Sequence, residues 1–218
     1  GKDLPKLADS WIDHGEGTEN ISWSSENIMG TKKALYKGHA VAAVAAVDRY
    51  VADYAASKVK VEYEVLESVT NVEDATKENA PILLEDLVGD HIGEKVSNTN
   101  IASVTRHEFG NPDKAFEEAE NVVEKTFTLQ MVHQGYIEPH NATAHWDEDD
   151  RIKVWTSTQG AFPVRTSTAA ILDMDVSRIK VTPLEIGGGF GGKIPVYLEP
   201  VVSILSKKSG RPVKAIME

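Results

Sequence analysis

Two stretches carry residue types from which a site can be built. Ile186 to Lys193 reads IGGGFGGK, five glycines around Phe190, and upstream of it Val154 to Arg165 reads VWTSTQGAFPVR, with Gln159 at its centre. An ordered glycine costs about 0.5–1 kcal/mol of extra conformational entropy, so five together need a reason. Close approach of backbone N–H groups to a ligand is one such reason. The alternative is a plain turn between strand and helix.

Two nucleotide-binding patterns fit the loop formally. Gly187, Gly192 and Lys193 satisfy G-x-x-x-x-G-K, but Ile194 stands where a Ser or Thr hydroxyl would hold magnesium, which argues against ATP or GTP. Gly187, Gly189 and Gly192 satisfy G-x-G-x-x-G, with a strand expected before, a helix after and Glu218 near the place of a ribose-binding acid. A run this rich in glycine meets that pattern easily. An NAD-dependent dehydrogenase therefore stays open as an alternative, as does a non-catalytic assembly module.

Other side chains say less. Gln159 alone reads as a hydrogen-bonded residue at a strand end. His133, His140 and His145 do not gather on one face of a strand and read as surface or packing residues. Lys193 and Arg165, as lone basic residues, are expected in solvent.

Composition narrows the classes. The 218 residues are 41% hydrophobic, enough for a core, and contain no cysteine, which removes disulfides, thiolate zinc sites and cysteine-ligated iron–sulfur clusters from this chain. A formal charge of −11 without clustered Lys, Arg and aromatics argues against nucleic acid. No apolar run reaches membrane-spanning length, and the first thirty residues hold Asp3, Asp9, Asp13, Glu16 and Glu19 where a signal peptide would be basic, then apolar. A cytoplasmic protein without membrane partners is expected.

The elements that must position these residues read as mixed α and β. The first thirty residues read as loop and extended segments. His39 to Val47 (HAVAAVAAV) reads as a buried strand, the stretch from Asp48 as a helix with Tyr50, Val51, Tyr54 and Ala55 on one face, and Val61 to Leu66 (VEYEVL) as a short strand. Thr70 to Asn100 reads as a connection anchored by PILLEDL. Asn111 is an N-cap with Pro112 at the first helical position, the helix runs through Glu120, and a strand starts at Val122. Asn141–Trp146 and Arg151–Thr158 form a hairpin around Asp147–Asp150, Phe162–Leu172 is helical, and Arg178–Ile186 is a strand that leads into the glycine loop. Val196–Gly210 is a helix ending on Gly210, and a further strand begins at Arg211.

QGYIEPHNATAHWD (Gln134 to Asp147), VWTSTQGAFPVR and IGGGFGGK together resemble, in order and spacing, the molybdenum-cofactor subunit of the xanthine dehydrogenase and aldehyde oxidase family. YKGHAVAAVAA and ADYAASKVKVEYEVLESVTNVEDA are similar to the end of the α/β hammerhead domain that precedes it, and GNPDKAFEEAENVVEKTF to the segment that opens the cofactor domain. The resemblance implies an α+β chain. It would comprise the C-terminal part of the hammerhead domain over 1–80, a connection over 81–104 and the first part of the molybdopterin-binding domain over 105–218.

The activity so implied is oxidative hydroxylation of an aromatic heterocycle or aldehyde, with oxygen from water, at molybdenum held by the dithiolene of a pterin. Gln159 would donate to an oxo ligand of the metal, a task suited to a neutral amide. Gly188, Gly189, Phe190, Gly191 and Gly192 would lay backbone against the cofactor. Phe190, Ile194 and Glu138 would line the substrate pocket, with Glu138 giving hydrogen-bonded support rather than catalysis, and no residue is implied as a direct metal ligand.

In purine-oxidising members of the family a glutamate that bonds the substrate follows GGGFGGK. Ile194 stands there in this chain, which disfavours xanthine and favours a less polar aromatic or aldehyde. The family's general base belongs to the second half of the cofactor domain, so the catalytic set is expected to be incomplete here, and Glu199 reads as a surface or supporting residue. Both ends resemble the interior of the family's chain. The resemblance therefore predicts a fragment, inactive and without tightly bound cofactor when alone, whose partners are the remaining half of the molybdopterin subunit, an iron–sulfur (Fe-S) subunit and a flavin (FAD) subunit.

Overall fold

The computed structural model describes residues 2–7, 10–15 and 18–217. In chain order its elements are β1 (Trp11–Asp13), β2 (Thr18–Asn20), α1 (Ile21–Ile28), α2 (Arg49–Ala56), α3 (Val72–Ala75), β3 (Val88–His91), β4 (Glu94–Ser97), β5 (Ser103–Val104), α4 (Pro112–Glu118), β6 (Asn141–Trp146), β7 (Ile152–Thr156), α5 (Ala161–Ile171), β8 (Ile179–Pro183), α6 (Glu199–Ser209) and β9 (Val213–Ile216). The class is α+β. Two compact units divide the chain, one of residues 1–65 with 134–218 and the other of residues 66–133.

The first unit is built on a four-stranded sheet in the order β8-β7-β6-β9. Strand β6 is antiparallel to both β7 and β9, whereas β7 is parallel to β8. Along NATAHW, Ala142, Ala144 and Trp146 are buried while Asn141, Thr143 and His145 are half-buried, the period of a sheet covered on one face. Ile152, Val154 and Thr156 continue the covered face on β7.

The alanines keep that surface low, so α6 lies close over it with Val202, Ser203 and Ser206 fully buried. Ser206 Oγ accepts from the Trp146 N–H at 2.9 Å and donates to the Arg211 carbonyl at 2.7 Å. Helix α6 ends on Gly210, which is left-handed at φ 63 as a C-cap glycine should be. Helix α5 packs against β8, burying Val164, Ala169 and Ile171.

The hairpin, α5, β8, α6 and β9 form where the sequence placed them, though β8 stops at Pro183, short of Ile186, and α6 starts at Glu199, after Val196. Helix α1 corrects the expectation of loop and extended chain over the first thirty residues. Asn20 caps it by accepting from the Trp23 N–H at 3.0 Å, and Ile21, Ser24 and Ile28 are buried at helical spacing. Its serines dilute the apolar stripe that would have marked it.

Three expected strands do not form, over 39–47, over 61–66 and from Val122. Val47 is 94% exposed and Phe127 84%. An apolar run becomes a strand only when a neighbour pairs with its N–H and C=O groups in a continuous ladder; the Ala40 carbonyl does accept from the Gly30 N–H at 2.9 Å, but no ladder forms over these three stretches. Helix α2 forms as expected, capped by Asp48, yet Tyr50, Val51 and Tyr54 on its apolar face are exposed.

In the second unit the segment expected to be a mere connection holds a sheet. Strand β3 pairs antiparallel with β4 and parallel with β5. The hairpin turn is Ile92-Gly93, at φ 55 and 84, and an isoleucine in the left-handed region gives no turn signal. Asn100 ties this unit together by accepting from the Leu83 N–H and donating to the carbonyls of Ala75 and Pro81. Helix α4 opens on Asn111 and Pro112 as expected and stops at Glu118, short of Glu120. No helix among the described residues is long and apolar enough to cross a membrane.

Candidate functional site

Because β7 and β8 are parallel neighbours, the segments leaving their ends run side by side. From β7 comes Ser157-Thr158-Gln159, and beyond β8 comes the glycine loop. The Leu184 N–H donates to the Thr156 carbonyl at 3.0 Å, and the Lys193 carbonyl accepts from the Gln159 N–H at 3.0 Å and the Thr158 hydroxyl at 2.9 Å.

Gln159 is exposed, yet its amide is held. Its Oε1 accepts from the backbone N–H groups of Gly191 at 3.1 Å and Lys193 at 3.3 Å. Two donors fix which end of the amide is oxygen, and Nε2 has no acceptor among the described residues. The arrangement is a donor presented outward by backbone.

The glycines make this fit possible. A Cβ at position 189 would sit 2.4 Å from Gln159 Oε1, one at 187 would sit 2.6 Å from Glu138 Cβ, and one at 192 would sit 2.9 Å from the side chains of Gln134 and Tyr136. At these three positions the backbone approaches the protein's own side chains. Gly188 and Gly191 are left-handed, at φ 95 and 85, and nothing lies within 4 Å of a Cβ built on Gly191. Phe190 is itself left-handed at φ 50 and 73% exposed, and Ile194 is 48% exposed.

Behind the loop lies an ion pair that sequence reasoning missed. Glu138 Oε2 accepts from Lys193 Nζ and from the Gly187 N–H, both at 2.7 Å, while Oε1 accepts from Asn141 Nδ2 at 3.0 Å. The Lys193 side chain is 0% exposed against 29% for Glu138, and Nζ lies 4.8 Å from the centre of the Tyr136 ring. The expectation of a solvated Lys193 is thus overturned, because a carboxylate and an aromatic face receive the ammonium inside. Partial burial pushes the Glu138 carboxyl up, but Lys193, Gly187 and Asn141 outweigh it and hold the group below its ordinary value. Both residues stood out in the sequence, but 55 positions separate them and no local pattern pairs them.

Glu199 is buried, not a surface residue. It opens α6 and accepts from the Thr156 hydroxyl at 2.6 Å and the Tyr197 N–H at 3.0 Å. Arg165 also turns inward, its guanidinium donating to the carbonyls of Val176 and Ile179. His140 packs edge-on between Tyr136 and Tyr197, His145 is half-buried on the sheet and His133 is exposed. No metal-type cluster of His, Asp and Glu occurs among the described residues.

Both nucleotide patterns require the loop's N–H groups to form a helix N-terminus. Helix α6 begins at Glu199, well past Gly192, and the N–H groups of Gly187, Gly191 and Lys193 already serve Glu138 and Gln159. Glu218 lies outside the described residues.

The site is thus a glycine loop that holds a side-chain amide past the ends of two parallel strands. Two family models match the chain: the molybdopterin cofactor-binding domain matches residues 92–218, and the aldehyde oxidase and xanthine dehydrogenase a/b hammerhead domain matches residues 1–67. The chain belongs to the molybdopterin cofactor-binding family of aldehyde oxidases and xanthine dehydrogenases.

Among curated relatives, the nicotinate dehydrogenase large molybdopterin subunit of Eubacterium barkeri is 30% identical over 202 residues, covering 93% of this chain and 45% of that protein. The xanthine dehydrogenase molybdenum-binding subunit of Escherichia coli O157:H7 is 30% identical over 197 residues, covering 90% of this chain and 25% of that one. The chain therefore spans less than half the length of either. The solved reconstituted CO dehydrogenase from Oligotropha carboxidovorans superposes with a TM-score of 0.65 at 29% identity, over 78% of this chain and 22% of that one.

Proposed function

We propose that this chain supplies one wall of a molybdopterin-cofactor site in an oxidoreductase that hydroxylates an aromatic heterocycle or aldehyde with oxygen from water. The observation that carries the reading is the Gln159 amide, pinned through its oxygen and donating outward from a loop in a chain of molybdopterin-binding type. The donor set fits the group. It consists of a neutral amide and the N–H groups of Gly188, Gly189 and Phe190, which have no acceptor among the described residues, and such donors suit an anionic, oxo-bearing cofactor.

Bound there, the cofactor supplies the redox and oxygen-transfer chemistry. Gln159 contributes a hydrogen bond from Nε2 that cannot pass on a proton at neutral pH, so it orients without titrating. Gly188 and Gly189 let backbone approach, Gly191 holds Gln159, Gly192 closes the loop on the protein's own side chains, Phe190 closes the substrate side, and Glu138 supports the loop from behind. The names of the relatives span nicotinate, xanthine and carbon monoxide, so kinship alone does not choose a substrate. Ile194, half-exposed beside the loop, favours a face less polar than a purine edge.

In this reading the hammerhead part covers 1–80, the connection 81–104 and the cofactor part 105–218. The general base and the remaining cofactor contacts come from the other half of the molybdopterin subunit. In this reading electrons leave through iron–sulfur and flavin groups on partner chains, in the cytoplasm; these 218 residues hold no cysteine that could ligate a cluster.

Titrating the purified chain with isolated molybdopterin, wild type against Gln159→Glu, tests the proposal. Turning a donor into an anion removes a charge-assisted hydrogen bond of about 1.5–3 kcal/mol, so weak saturable binding should fall by about tenfold or more with the melting curve unchanged. Equal affinity of the two proteins would remove Gln159 from the site. Absence of saturable binding to the wild type would remove the reading itself.

A further inference from the structure

One carboxylate oxygen closes the glycine loop at both ends. Glu138 Oε2 accepts from the Gly187 N–H where the loop starts and from Lys193 Nζ where it finishes, each at 2.7 Å. Residue 193 is also the one that grips Gln159: its N–H reaches Oε1 at 3.3 Å, and its carbonyl accepts from the Gln159 N–H at 3.0 Å and the Thr158 hydroxyl at 2.9 Å. The lysine is anchored by its side chain and does its positioning through its backbone.

We propose that Glu138 and Lys193 are positioning residues, forming an ion-pair latch that fixes the glycine loop and thereby aims the Gln159 Nε2 donor. The inference rests on the reading of Gln159 as the donor to a bound group and names the device that sets its direction. A buried ammonium is tolerated only when paired, so Lys193 has one arrangement available with the loop down, and Glu138 is the carboxylate that accepts it. Such pairs contribute little net stability compared with an apolar replacement, but they demand one geometry. The loop offers no slack against this demand, since a Cβ at Gly192 would meet Gln134 and Tyr136 at 2.9 Å.

Amide hydrogen exchange by NMR on the 218-residue chain, without any cofactor, tests the latch. In Lys193→Met and Glu138→Gln the amides of Gly187, Gly191 and residue 193 should exchange about tenfold or more faster, while those of Ala144 and Val154 in the sheet stay unchanged. The side-chain NH2 pair of Gln159 should shift and sharpen as its oxygen is released. Loop amides that do not move in a folded variant overturn the proposal, and so does an equal rise in loop and sheet. If Lys193→Met does not fold, Glu138→Gln is read alone, and collapse of both makes the pair a folding requirement and not a latch. The outcome is separate from the cofactor titration: unmoved loop amides defeat the latch alone, whereas failed binding defeats the cofactor reading and leaves the exchange result standing.

Discussion

Gln159 Oε1 lies 3.1 Å from the backbone nitrogen of Gly191, across 32 positions of the chain. A side chain at the end of one strand is thus oriented by the backbone that follows another, and the orientation depends on what the loop's glycines leave out.

Two alanine substitutions separate space from strain. Gly189 does not occupy the left-handed region, so Gly189→Ala is acceptable to the backbone but puts a methyl 2.4 Å from Gln159 Oε1. The exposed amide swings away at little energetic cost, and the expected result is cofactor affinity reduced by about tenfold with stability changed by under about 1 kcal/mol. Gly191→Ala has open space but a φ of 85, so it should cost about 1–2 kcal/mol of stability. Melting curves and titrations that gave the reverse ranking would show that the glycines are not there for Gln159.

The Glu138 carboxyl gives a pH signature. Held below its ordinary value of 4.5, it binds its proton less readily in the folded state than in the unfolded one. Its contribution to stability is therefore fully present above the unfolded value and is lost as the pH falls through the lower folded value. Urea midpoints of wild type and Glu138→Gln should differ most at neutral pH and converge in acid, once the folded carboxyl is protonated. Asp150 and Asp175 are also held low and soften the fold in acid, but they do so equally in both proteins. A difference that stays constant with pH would show that the carboxylate's charge plays no part.

Legibility followed the origin of the signal. The hairpin, α5 and α6 with its Gly210 end were readable because period, turn residues and Gly210 all act within a few positions. Gln159 and the loop were readable as a pair because their order and spacing resemble a family. The Glu138–Lys193 pair was not, because it arises from a fold that brings distant residues together. The strands expected over 39–47 and 61–66 failed for the opposite reason: hydropathy states a preference for burial, whereas a strand needs a continuous ladder, which does not form at either stretch. The hairpin at Ile92-Gly93 was hidden by an isoleucine where turn chemistry leads one to look for asparagine or glycine.

The close seat of α6 predicts that Ala144→Leu is costly. Ala144 is fully buried on the covered face, beside Ala142 and beneath the helix. Extra methylenes there force the helix away from the sheet, a penalty of about 1–3 kcal/mol. Urea unfolding should show it, and because the Leu cannot reach solvent, a neutral result would mean that the helix is not packed as described.

Ser206 tests the same contact through its polarity. Its hydroxyl is the acceptor for the Trp146 N–H and the donor to the Arg211 carbonyl, so one side chain joins the end of β6 to the turn between α6 and β9. Ser206→Ala leaves both backbone groups without that partner. The Trp146 N–H bond is buried, and water cannot replace the acceptor without opening the helix. The expected loss is about 1–3 kcal/mol, far more than removing one exposed hydroxyl would cost, and it should appear as faster exchange of the Trp146 amide before any change at Gln159. Ser209→Ala is the control, since its weaker 3.3 Å bonds lie at the same helix end. Equal, small effects of the two substitutions would place the helix–sheet contact in apolar packing alone.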